Sequence, residues 1–409
     1  MDIAKIRNIY RETYERIKNV HIGCFDGMNA PLFLISDTYP GVWLEHAYDA
    51  VFYAKINPSA TDIAKNTVNL FMDNQTPEGQ LPYCAMNPAK SRAPRTSCYG
   101  FTQIQECVSF AQLCLETCKM SGDEKLLEKS YNAAKGWDSW LRKYRMTTEK
   151  GLVEMFVGYD TGHDNSARVT DLKYRGLRTD ESGMRMLAGA QPDNDPIVPI
   201  LAVDMNCNFY GTQKALAEMA RMLGKNGEAD EWERKAAEVK KKLFEICYDE
   251  KDAFFYDVDK NGNKRKFLSS TIFHLFLEKV LDKDTDADII NEIYTRHIKN
   301  RDEFWTPYPF PSMAVNDPSC KNHAPQNCWG YYSQGLIALR CTRWMDHYGW
   351  NKDFDVLCEK WVQAWTDCFD ELKLGQELDP ITGKPTKCSQ WYSSCMLLYI
   401  YAVERLKLI

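Results

Sequence analysis

Six polar residues crowd the stretch GYDTGHDNSARV, residues 158–169, and their side chains could carry acid–base chemistry. They are Asp160, His163, Asp164, Asn165, Ser166 and Arg168. A loop so rich in turn-forming residues is commonly only a solvated connection. A carboxyl group held among hydrogen-bonding neighbours can also act as a general acid. Asp164 is the candidate acid, because it lies in a glycine-containing loop whose polar neighbours can orient it.

A second carboxylate that could complete such a site lies in LGQELDPITGKPT, residues 374–386, where Glu377 precedes an Asp-Pro turn. Hydrolysis of a glycosidic bond needs two carboxyl groups on opposite faces of the sugar. One group protonates the leaving oxygen, and the other stays ionised. Either stretch alone could be a simple turn, but the two together favour a glycosidase with Asp164 and Glu377 as its carboxyl pair.

The aromatic residues point to the same class of ligand. The chain has 11 Trp, 22 Tyr and 18 Phe, and many of them lie in polar loops or at predicted helix starts. Sugars have flat C–H faces and a rim of hydroxyls, so a sugar site combines aromatic platforms with carboxylates, amides and arginine. A single Trp or Tyr can equally be a packing residue at a helix end. The set that favours a carbohydrate cleft comprises Trp43, Tyr83, Tyr99, Trp305, Trp329, Tyr331, Trp391 and Tyr392, together with Asp49, Gln103, Asp164 and Arg168.

Other chemistries have less local support. YDVDKNG, residues 256–262, begins like a calcium-binding loop, but the position that should carry a bidentate Glu is Leu268. We therefore predict a hairpin turn there. The seven histidines show no H-E-x-x-H spacing, and there is no G-x-G-x-x-G, Walker or G-x-S-x-G motif. The sequence predicts neither a cofactor nor a metal ion in the reaction.

Composition narrows the partners and the compartment. With 409 residues, 44% apolar content and a net charge of -6, the chain is typical of a globular protein that binds neither nucleic acid nor an anionic membrane. No stretch reaches the roughly 18 apolar residues of a membrane span, and the first 20 residues do not resemble a signal peptide. The 15 cysteines, an odd number, argue against a disulfide framework, and Cys107, Cys114 and Cys118 are predicted to share one buried helix face. We expect a cytoplasmic protein.

Helical periodicity dominates the chain and predicts one mainly α domain over residues 1–409. About twelve helical segments are predicted, at 2–19, 42–56, 60–74, 102–119, 123–145, 203–223, 227–247, 268–280, 285–299, 329–348, 352–370 and 389–406. Strand patterns are sparse, at 151–155 and 253–263. The connections 146–202, 248–267, 300–328 and 371–388 are long and polar. Long ordered connections are often functional, so a helical scaffold with a cleft between polar loops is expected.

Taken together, these stretches resemble the bacterial branch of glycoside hydrolase family 63, especially the mannosylglycerate and glucosylglycerate hydrolases. More distantly, the chain is similar to trehalases and other six-hairpin glycosidases. TGHDNSAR, residues 161–168, is similar to the S-G-M-D-N-S-P-R motif that carries the catalytic acid. QELDPITGKP, residues 376–385, resembles E-N-Y-x-P-x-T-G-x-P, whose Glu is the base.

Weaker likenesses follow the same order along the chain. They are VWLEHAYDAVFYA (42–54) to a W-L-W-D-x-x-F helix start, TPEGQLPY (76–83) to D-G-x-x-P, TQ (102–103) to T-Q-P-P, VDMNCNFYGTQKAL (203–216) to V-D-x-x-x-N-x-x-x-x-x-A-L, and NCWGYYSQGL (327–336) to W-x-G-x-x-W. Departures fall in the same stretches, with Tyr48, His163 and Ala167 in place of Trp, Met and Pro. Leu378-Asp379 stands for Asn-Tyr, and TQIQ for T-Q-P-P. These changes alter the predicted pocket walls.

The resemblance implies an all-α, (α/α)6 toroid and an inverting mechanism on a small α-linked glucoside or mannoside, such as a glycosyl-glycerate or a short oligosaccharide. Asp164 would protonate the glycosidic oxygen and Glu377 would activate water, at a carboxyl separation of about 6.5–9.5 Å. The expected substrate-binding residues are Trp43, Asp49, Tyr83, Gln103, His163, Arg168, Trp329, Gly330 and Trp391.

Three other functions stay open on the sequence. A polysaccharide lyase on the same toroid would need a Tyr/His or Asn/His site for proton abstraction. A sugar epimerase would use paired histidines as acid and base, for which His163 and His323 are the candidates. A non-catalytic carbohydrate-binding protein is the alternative from another class, and it would keep ligand binding when either carboxylate is neutralised.

Overall fold

The computed structural model describes residues 1–36, 39, 41–87, 99–164, 166–169, 199–320 and 329–409. Within these ranges, twelve α-helices carry the fold. They are α1 (Ile3–Arg16), α2 (Ala47–Ile56), α3 (Thr61–Met72), α4 (Phe110–Ser121), α5 (Glu124–Tyr144), α6 (Val203–Met222), α7 (Asn226–Cys247), α8 (His274–Leu277), α9 (Ala287–Ile293), α10 (Gly335–Arg340), α11 (Asn351–Leu372) and α12 (Ser393–Arg405). Short π-helical turns continue α1 and α9.

The even-numbered helices form an inner ring. Helix α2 packs against α4, α4 against α6, α6 against α8 and α10 against α12, while α12 returns to α2 and closes the ring. The outer helices α3, α5, α7 and α11 pack on α2, α4, α6 and α12 respectively. The two hairpin partners differ in burial, because α6 is buried on nearly every side, including its polar residues Asn206 and Gln213, whereas α7 keeps a charged face in solvent. The arrangement is an (α/α)6 toroid, and the predicted fold class is confirmed.

Short antiparallel strands fill the connections. They are β1 (Ile22–Gly23), β2 (Leu32–Phe33), β3 (Gly41–Trp43), β4 (Cys84–Met86), β5 (Tyr99–Gly100), β6 (Glu154–Met155), β7 (Ile200–Leu201), β8 (Tyr248–Asp249), β9 (Phe254–Phe255), β10 (Asp257–Val258), β11 (Lys264–Arg265), β12 (Ser333–Gln334) and β13 (Glu377–Leu378). Their sheets are β1-β2, β3-β4-β5, β11-β10-β7-β6, β8-β9 and β12-β13. A described strand precedes each inner helix along the chain. The loops before the inner helices therefore begin from fixed points.

The predicted hairpin at 253–263 is confirmed. Asp257 pairs with Arg265 and Val258 with Lys264, and Asp259 Oδ1 accepts the backbone N–H groups of Asn261 and Asn263, each at 2.9 Å. Five α-helix starts were predicted too early, by four residues or more. The segments 42–56, 102–119, 268–280, 329–348 and 389–406 become α-helical only at Ala47, Phe110, His274, Gly335 and Ser393, because strands, 3-10 turns and polar loops occupy their first residues.

Within the described ranges, the main apolar core connects residues from Ile6 to Val403, and Ala167, Met313 and Cys320 form a second, small cluster. Cys107, Cys114 and Cys118 are buried as predicted, but Cys107 precedes α4, so the three do not share one helix face. The Cys107 thiol instead donates to the Thr161 carbonyl at 3.1 Å. Among the helices in the described ranges, none has both the length and the apolarity to cross a bilayer.

Candidate active site

A cavity of about 240 Å³ opens among the loops that precede inner helices, and we call it the central pocket. Its lining residues are Ile35, Tyr39, Trp43, Glu45, His46, Tyr83, Gln103, Gln105, Tyr159, Gly162, Asp164, Trp329, Gln376 and Tyr392. The wall is aromatic and the polar groups are carboxyls, amides and hydroxyls. The volume is smaller than that of most drug-sized sites, which suits a small ligand. Five of the predicted site residues meet here: Trp43, Tyr83, Gln103, Asp164 and Trp329.

The loop that carries Asp164 is anchored at its start by a buried ion pair. Asp160 is fully buried, its Oδ2 lies 2.5 Å from Arg145 Nη1, and it accepts the backbone N–H groups of Phe156 at 2.8 Å and Ile104 at 3.0 Å. Its carbonyl also accepts the N–H of Gln105 at 2.8 Å. Asp160 therefore fixes the loop that carries Asp164 to the segment before α4.

The end of the loop is held by a second buried ion pair. Arg168 is 1% exposed and contacts both Asp204 at the start of α6 and Asp257 in β10, the latter at 2.6 Å. Asp257 also accepts the backbone N–H of Val203 at 2.9 Å. Arg168 was predicted to bind substrate, but the structure places it outside the pocket lining, with both of its carboxylate partners inside the protein. It fixes the loop on α6.

Gly162 sets the path of the loop between these two anchors. Its φ is +72°, and a Cβ atom there would lie 2.5 Å from both Cys107 Sγ and Glu45 Oε2. An L-residue would be strained at this φ and would displace both neighbours. Glycine at 162 therefore brings the loop against Glu45 and places Asp164, two residues later, on the pocket wall.

His163 does not line the central pocket, contrary to the prediction. Its ring stacks on Trp329 with centroids 4.4 Å apart and meets the edge of His274 at 5.9 Å. Burial, and then the charges of Arg168 and His274, hold the pKa of His163 well below its ordinary value. Its imidazole is therefore uncharged near neutral pH and is held between the rings of Trp329 and His274. His323, its partner in the epimerase alternative, lies outside the described residues.

In the segment 374–386, the residue that lines the pocket is not the one that was predicted. Gln376 lines the central pocket, whereas Glu377 is fully buried and is not among the lining residues. Glu377 accepts from Gln334 Nε2 at 3.1 Å and from Thr386 Oγ1 at 3.0 Å. Adjacent residues of an extended chain point to opposite sides, so only one of the two can face the ligand.

The sequence pattern supports the same correction. When QELDPITGKP is set against E-N-Y-x-P-x-T-G-x-P without a gap, Pro380, Thr382, Gly383 and Pro385 all match. In that register the Glu of the pattern falls on Gln376, not on Glu377. Gln376 Nε2 lies 3.5 Å from Gln334 Oε1, so Gln334 contacts both residues.

Three further predicted binding residues lie outside the pocket lining. Asp49 faces α12, where it accepts from Ser393 Oγ at 2.5 Å and Ser394 Oγ at 2.8 Å, and burial raises its pKa to about 6. Trp391 packs its edge on Phe369 and carries the guanidinium of Arg16 over its ring. Gly330 accepts the backbone N–H of Met313 at 2.8 Å. Each of the three contacts the scaffold, and the structure does not bring them together with the residues that line the pocket.

Glu45 and His46 take the place in the pocket that was predicted for Asp49. Glu45 is 8% exposed, and burial raises its pKa to about 7. Its Oε1 lies 3.2 Å from His46 Nδ1, and His46 Nε2 lies 2.5 Å from the Tyr392 hydroxyl. Burial and the charge of Arg340 hold the pKa of His46 well below its ordinary value. A carboxyl, a neutral imidazole and a phenol thus line one part of the wall together.

Sequence reasoning missed Glu45, His46, Gln105 and Gln376. Gln376 could have been predicted from the gap-free comparison of QELDPITGKP with the family pattern, in which Pro380 matches. Glu45 and His46 could have been predicted only if the start of α2 had been placed at Ala47 instead of at residue 42. Gln105 accepts from Gln103 Nε2 at 2.6 Å, so the two amides form one hydrogen-bonding unit.

Among the residues with described positions, one cluster of metal-binding residue types lies behind the pocket. Ligand atoms of His163, Asp204 and His274 fall within 4.8 Å of one another. Arg168 already contacts the Asp204 carboxylate, and the nearby Arg340 lowers the pKa of both histidines. Two guanidinium groups at this distance disfavour an added cation. The donor set therefore does not fit a metal ion well.

The helices define the class of the protein as an (α/α)6 toroid, with a polar, aromatic pocket among its inner loops. Among solved structures, the family 63 mannosylglycerate hydrolase of Thermus thermophilus in complex with glucose is similar, with a TM-score of 0.70, 15% identity and coverage of 96% of this chain and 99% of that one. Neutral trehalase of Saccharomyces cerevisiae gives a TM-score of 0.65 at 14% identity, over 92% of this chain and 74% of that one.

A family model described as "Mannosylglycerate hydrolase MGH1-like glycoside hydrolase domain" matches residues 46–333. The match covers more than half of the chain. The chain belongs to this family and is a glycosidase. Among curated proteins, an uncharacterized protein of Borreliella burgdorferi is 25% identical over 116 residues, which are 28% of this chain and 23% of that relative.

Proposed function

We propose that this glycosidase hydrolyses a small α-linked glucoside or mannoside with inversion, and that Asp164 is the general acid. The observation that carries the proposal is the place of Asp164 on the wall of a sugar-sized aromatic pocket, on a loop fixed by two buried ion pairs. A carboxyl that donates a proton must be held in one place, because proton transfer depends on short, aligned contact with the leaving oxygen.

The remaining lining residues suit a monosaccharide ring. Trp43, Tyr83 and Trp329 offer flat apolar surfaces, while Gln103 and Gln105 offer amide groups for the hydroxyl rim. Trp329 is itself fixed from behind by the stacked ring of His163. We propose that these residues bind the sugar and that His163, Arg168 and Asp49 hold the elements that carry them.

The second group of an inverting site must lie across the sugar from the acid, near the water that attacks the anomeric carbon. The sequence predicted Glu377 for this task. The pocket lining favours Gln376 as the residue that contacts the water, with Glu377 fixing Gln334 behind it.

The volume of the pocket and the family both support the proposed substrate class. A cavity of about 240 Å³ suits one sugar with a small aglycone better than a polysaccharide. A neighbouring Thermus thermophilus structure is a mannosylglycerate hydrolase in complex with Tris and D-glycerate. Glycosyl-glycerates are therefore the first compounds to test, followed by short α-linked oligosaccharides.

The test is turnover of a panel of α-glucosides, α-mannosides and glycosyl-glycerates by the purified protein and by Asp164→Asn. We expect wild-type hydrolysis of at least one alkyl glycoside and a loss of about 10²–10⁴-fold in the variant, the usual range for a general acid. An Asp160→Asn variant is the control, since it removes a buried anchor and should lower the unfolding midpoint as well as the rate. Equal rates for wild type and Asp164→Asn on alkyl glycosides would reject Asp164 as the acid.

A further inference from the structure

We infer that position 376 is where the nucleophile is held, and that among the residues the structure describes Gln376 leaves this side of the pocket without a base, so that installing a carboxylate there accelerates hydrolysis. The inference rests on the proposed function. It predicts that the single substitution Gln376→Glu increases the rate of hydrolysis, because the proposed acid Asp164 is already in place.

The toroid places position 376 across from the acid. Asp164 lies in the connection that leads to α6, and Gln376 lies in the connection that leads to α12. In a ring of six inner helices, α6 and α12 are three hairpins apart. Side chains from these two connections therefore enter the central pocket from opposite sides, as an inverting mechanism requires of its acid and its nucleophile.

Gln376 is built into the wall. It is 2% exposed, its backbone N–H donates to the Cys388 carbonyl at 3.4 Å, and its own carbonyl accepts the N–H of Gly335 at 2.9 Å. Its side chain contacts Gln334 and the Cys388 thiol. A glutamate has the same length and shape, so the substitution Gln376→Glu places a carboxylate at the pocket wall without added volume.

The neighbouring carboxylate cannot take over from this position. Glu377 is fully buried between Gln334 and Thr386, and its strand pairs with β12, with Glu377 opposite Gln334. Turning it into the pocket would shift the strand by one residue and reverse every side chain on it. Glu377 is a positioning residue for Gln334.

Glu45 is the other carboxyl group among the lining residues, and it lies on the acid side. Its Oε2 packs against Gly162 and lies 3.6 Å from Cys107 Sγ, so it contacts the loop that carries Asp164. We therefore propose that Glu45 binds a sugar hydroxyl rather than the attacking water.

The chemistry sets the expectation. An amide oxygen accepts a hydrogen bond from water but does not take up its proton near neutral pH, so the attacking water loses its proton to solvent rather than to a side chain. An anionic nucleophile has no such need. With an α-glycosyl fluoride, azide forms the new bond at the anomeric carbon from the β face, the C–F bond breaks, and fluoride leaves with the electron pair.

The experiment measures fluoride release from α-glucosyl and α-mannosyl fluoride, substrates whose leaving group needs little acid assistance. We expect Gln376→Glu to exceed wild type by about 10²-fold or more, the usual contribution of a general base. Sodium azide should accelerate wild type, giving the β-glycosyl azide, and should leave Gln376→Glu almost unchanged. Gln363→Glu is the control, because it adds the same charge on the outer helix α11, away from the pocket lining, and should leave fluoride release at the wild-type rate.

The outcomes separate this inference from the proposed function. If Gln376→Glu folds with the wild-type unfolding midpoint but is no faster, and azide does not accelerate wild type, the inference is overturned. Loss of wild-type fluoride release in Glu377→Gln or in Glu45→Gln, without any gain in Gln376→Glu, would assign the base to that residue instead. The proposed function is judged independently, by the effect of Asp164→Asn on alkyl glycosides.

Discussion

The substitution Gly162→Ala tests whether the position of the loop that carries Asp164 depends on its close contact with Glu45. At φ +72°, a non-glycine residue costs about 1–2 kcal/mol. The new methyl group would lie 2.5 Å from Cys107 Sγ and Glu45 Oε2, and overpacking of this kind costs a further 1–3 kcal/mol or so. We therefore expect the free energy of unfolding to fall by about 2–5 kcal/mol, measured by urea denaturation.

The matched control is Gly122→Ala. Gly122 follows α4 at φ +65°, and a Cβ atom there would meet nothing within 4 Å, so only the backbone cost of about 1–2 kcal/mol applies. The two variants should also differ in activity. Displacing the loop by a fraction of an ångström moves Asp164, and a misplacement of 1 Å can cost about 10²-fold in rate. If Gly162→Ala matched Gly122→Ala in both stability and turnover, the proposed packing of the loop on Glu45 would be refuted.

The other predictions concern the anchors, the pocket wall and the buried acids. Arg168→Met leaves the buried Asp257 carboxylate without its guanidinium partner, so the free energy of unfolding should fall by about 3–5 kcal/mol; a fall below 1 kcal/mol in urea denaturation would contradict this. Trp43→Ala should raise KM about tenfold or more with a small change in Tm, because Trp43 lines the pocket, whereas Trp391→Ala should lower Tm and leave KM nearly unchanged. Burial raises the pKa of Glu106 to about 7, so its protonated form stabilises the fold below pH 4.5 and this contribution is lost as pH rises toward 7. Between pH 4.5 and 7, the free energy of unfolding should therefore fall by about 1–3 kcal/mol less in Glu106→Gln than in wild type. Parallel pH profiles for the variant and wild type would argue against the raised pKa.

Much of the fold could be predicted from the sequence, because in long helices the apolar residues recur every three or four positions over many turns. The segments predicted at 123–145, 203–223 and 227–247 agree with α5, α6 and α7 to within a few residues. Agreement fails at the starts of α2, α4 and α10. There the aromatic and apolar residues of the pocket wall continue the helical spacing, although strands and irregular loops hold them.

The candidate site was predicted less completely, and the reason is the direction of side chains. Asp49 and Glu45 are one turn apart in sequence, and only the position of the first helical residue decides which of them enters the pocket. Gln376 and Glu377 are neighbours in an extended segment, where one residue faces the ligand and the next faces the protein. A carboxylate in a motif is easily given the role of base, yet the residue that faces the pocket here is the amide beside it.

The most direct test of the central claim is the anomer first formed when an α-linked substrate is cleaved, followed by proton NMR from the first minute of reaction. An inverting site with Asp164 on one side and the nucleophile at position 376 predicts that the β-anomer appears first and then equilibrates. First appearance of the α-anomer would contradict the account, because it requires a covalent intermediate on a carboxylate close to the acid.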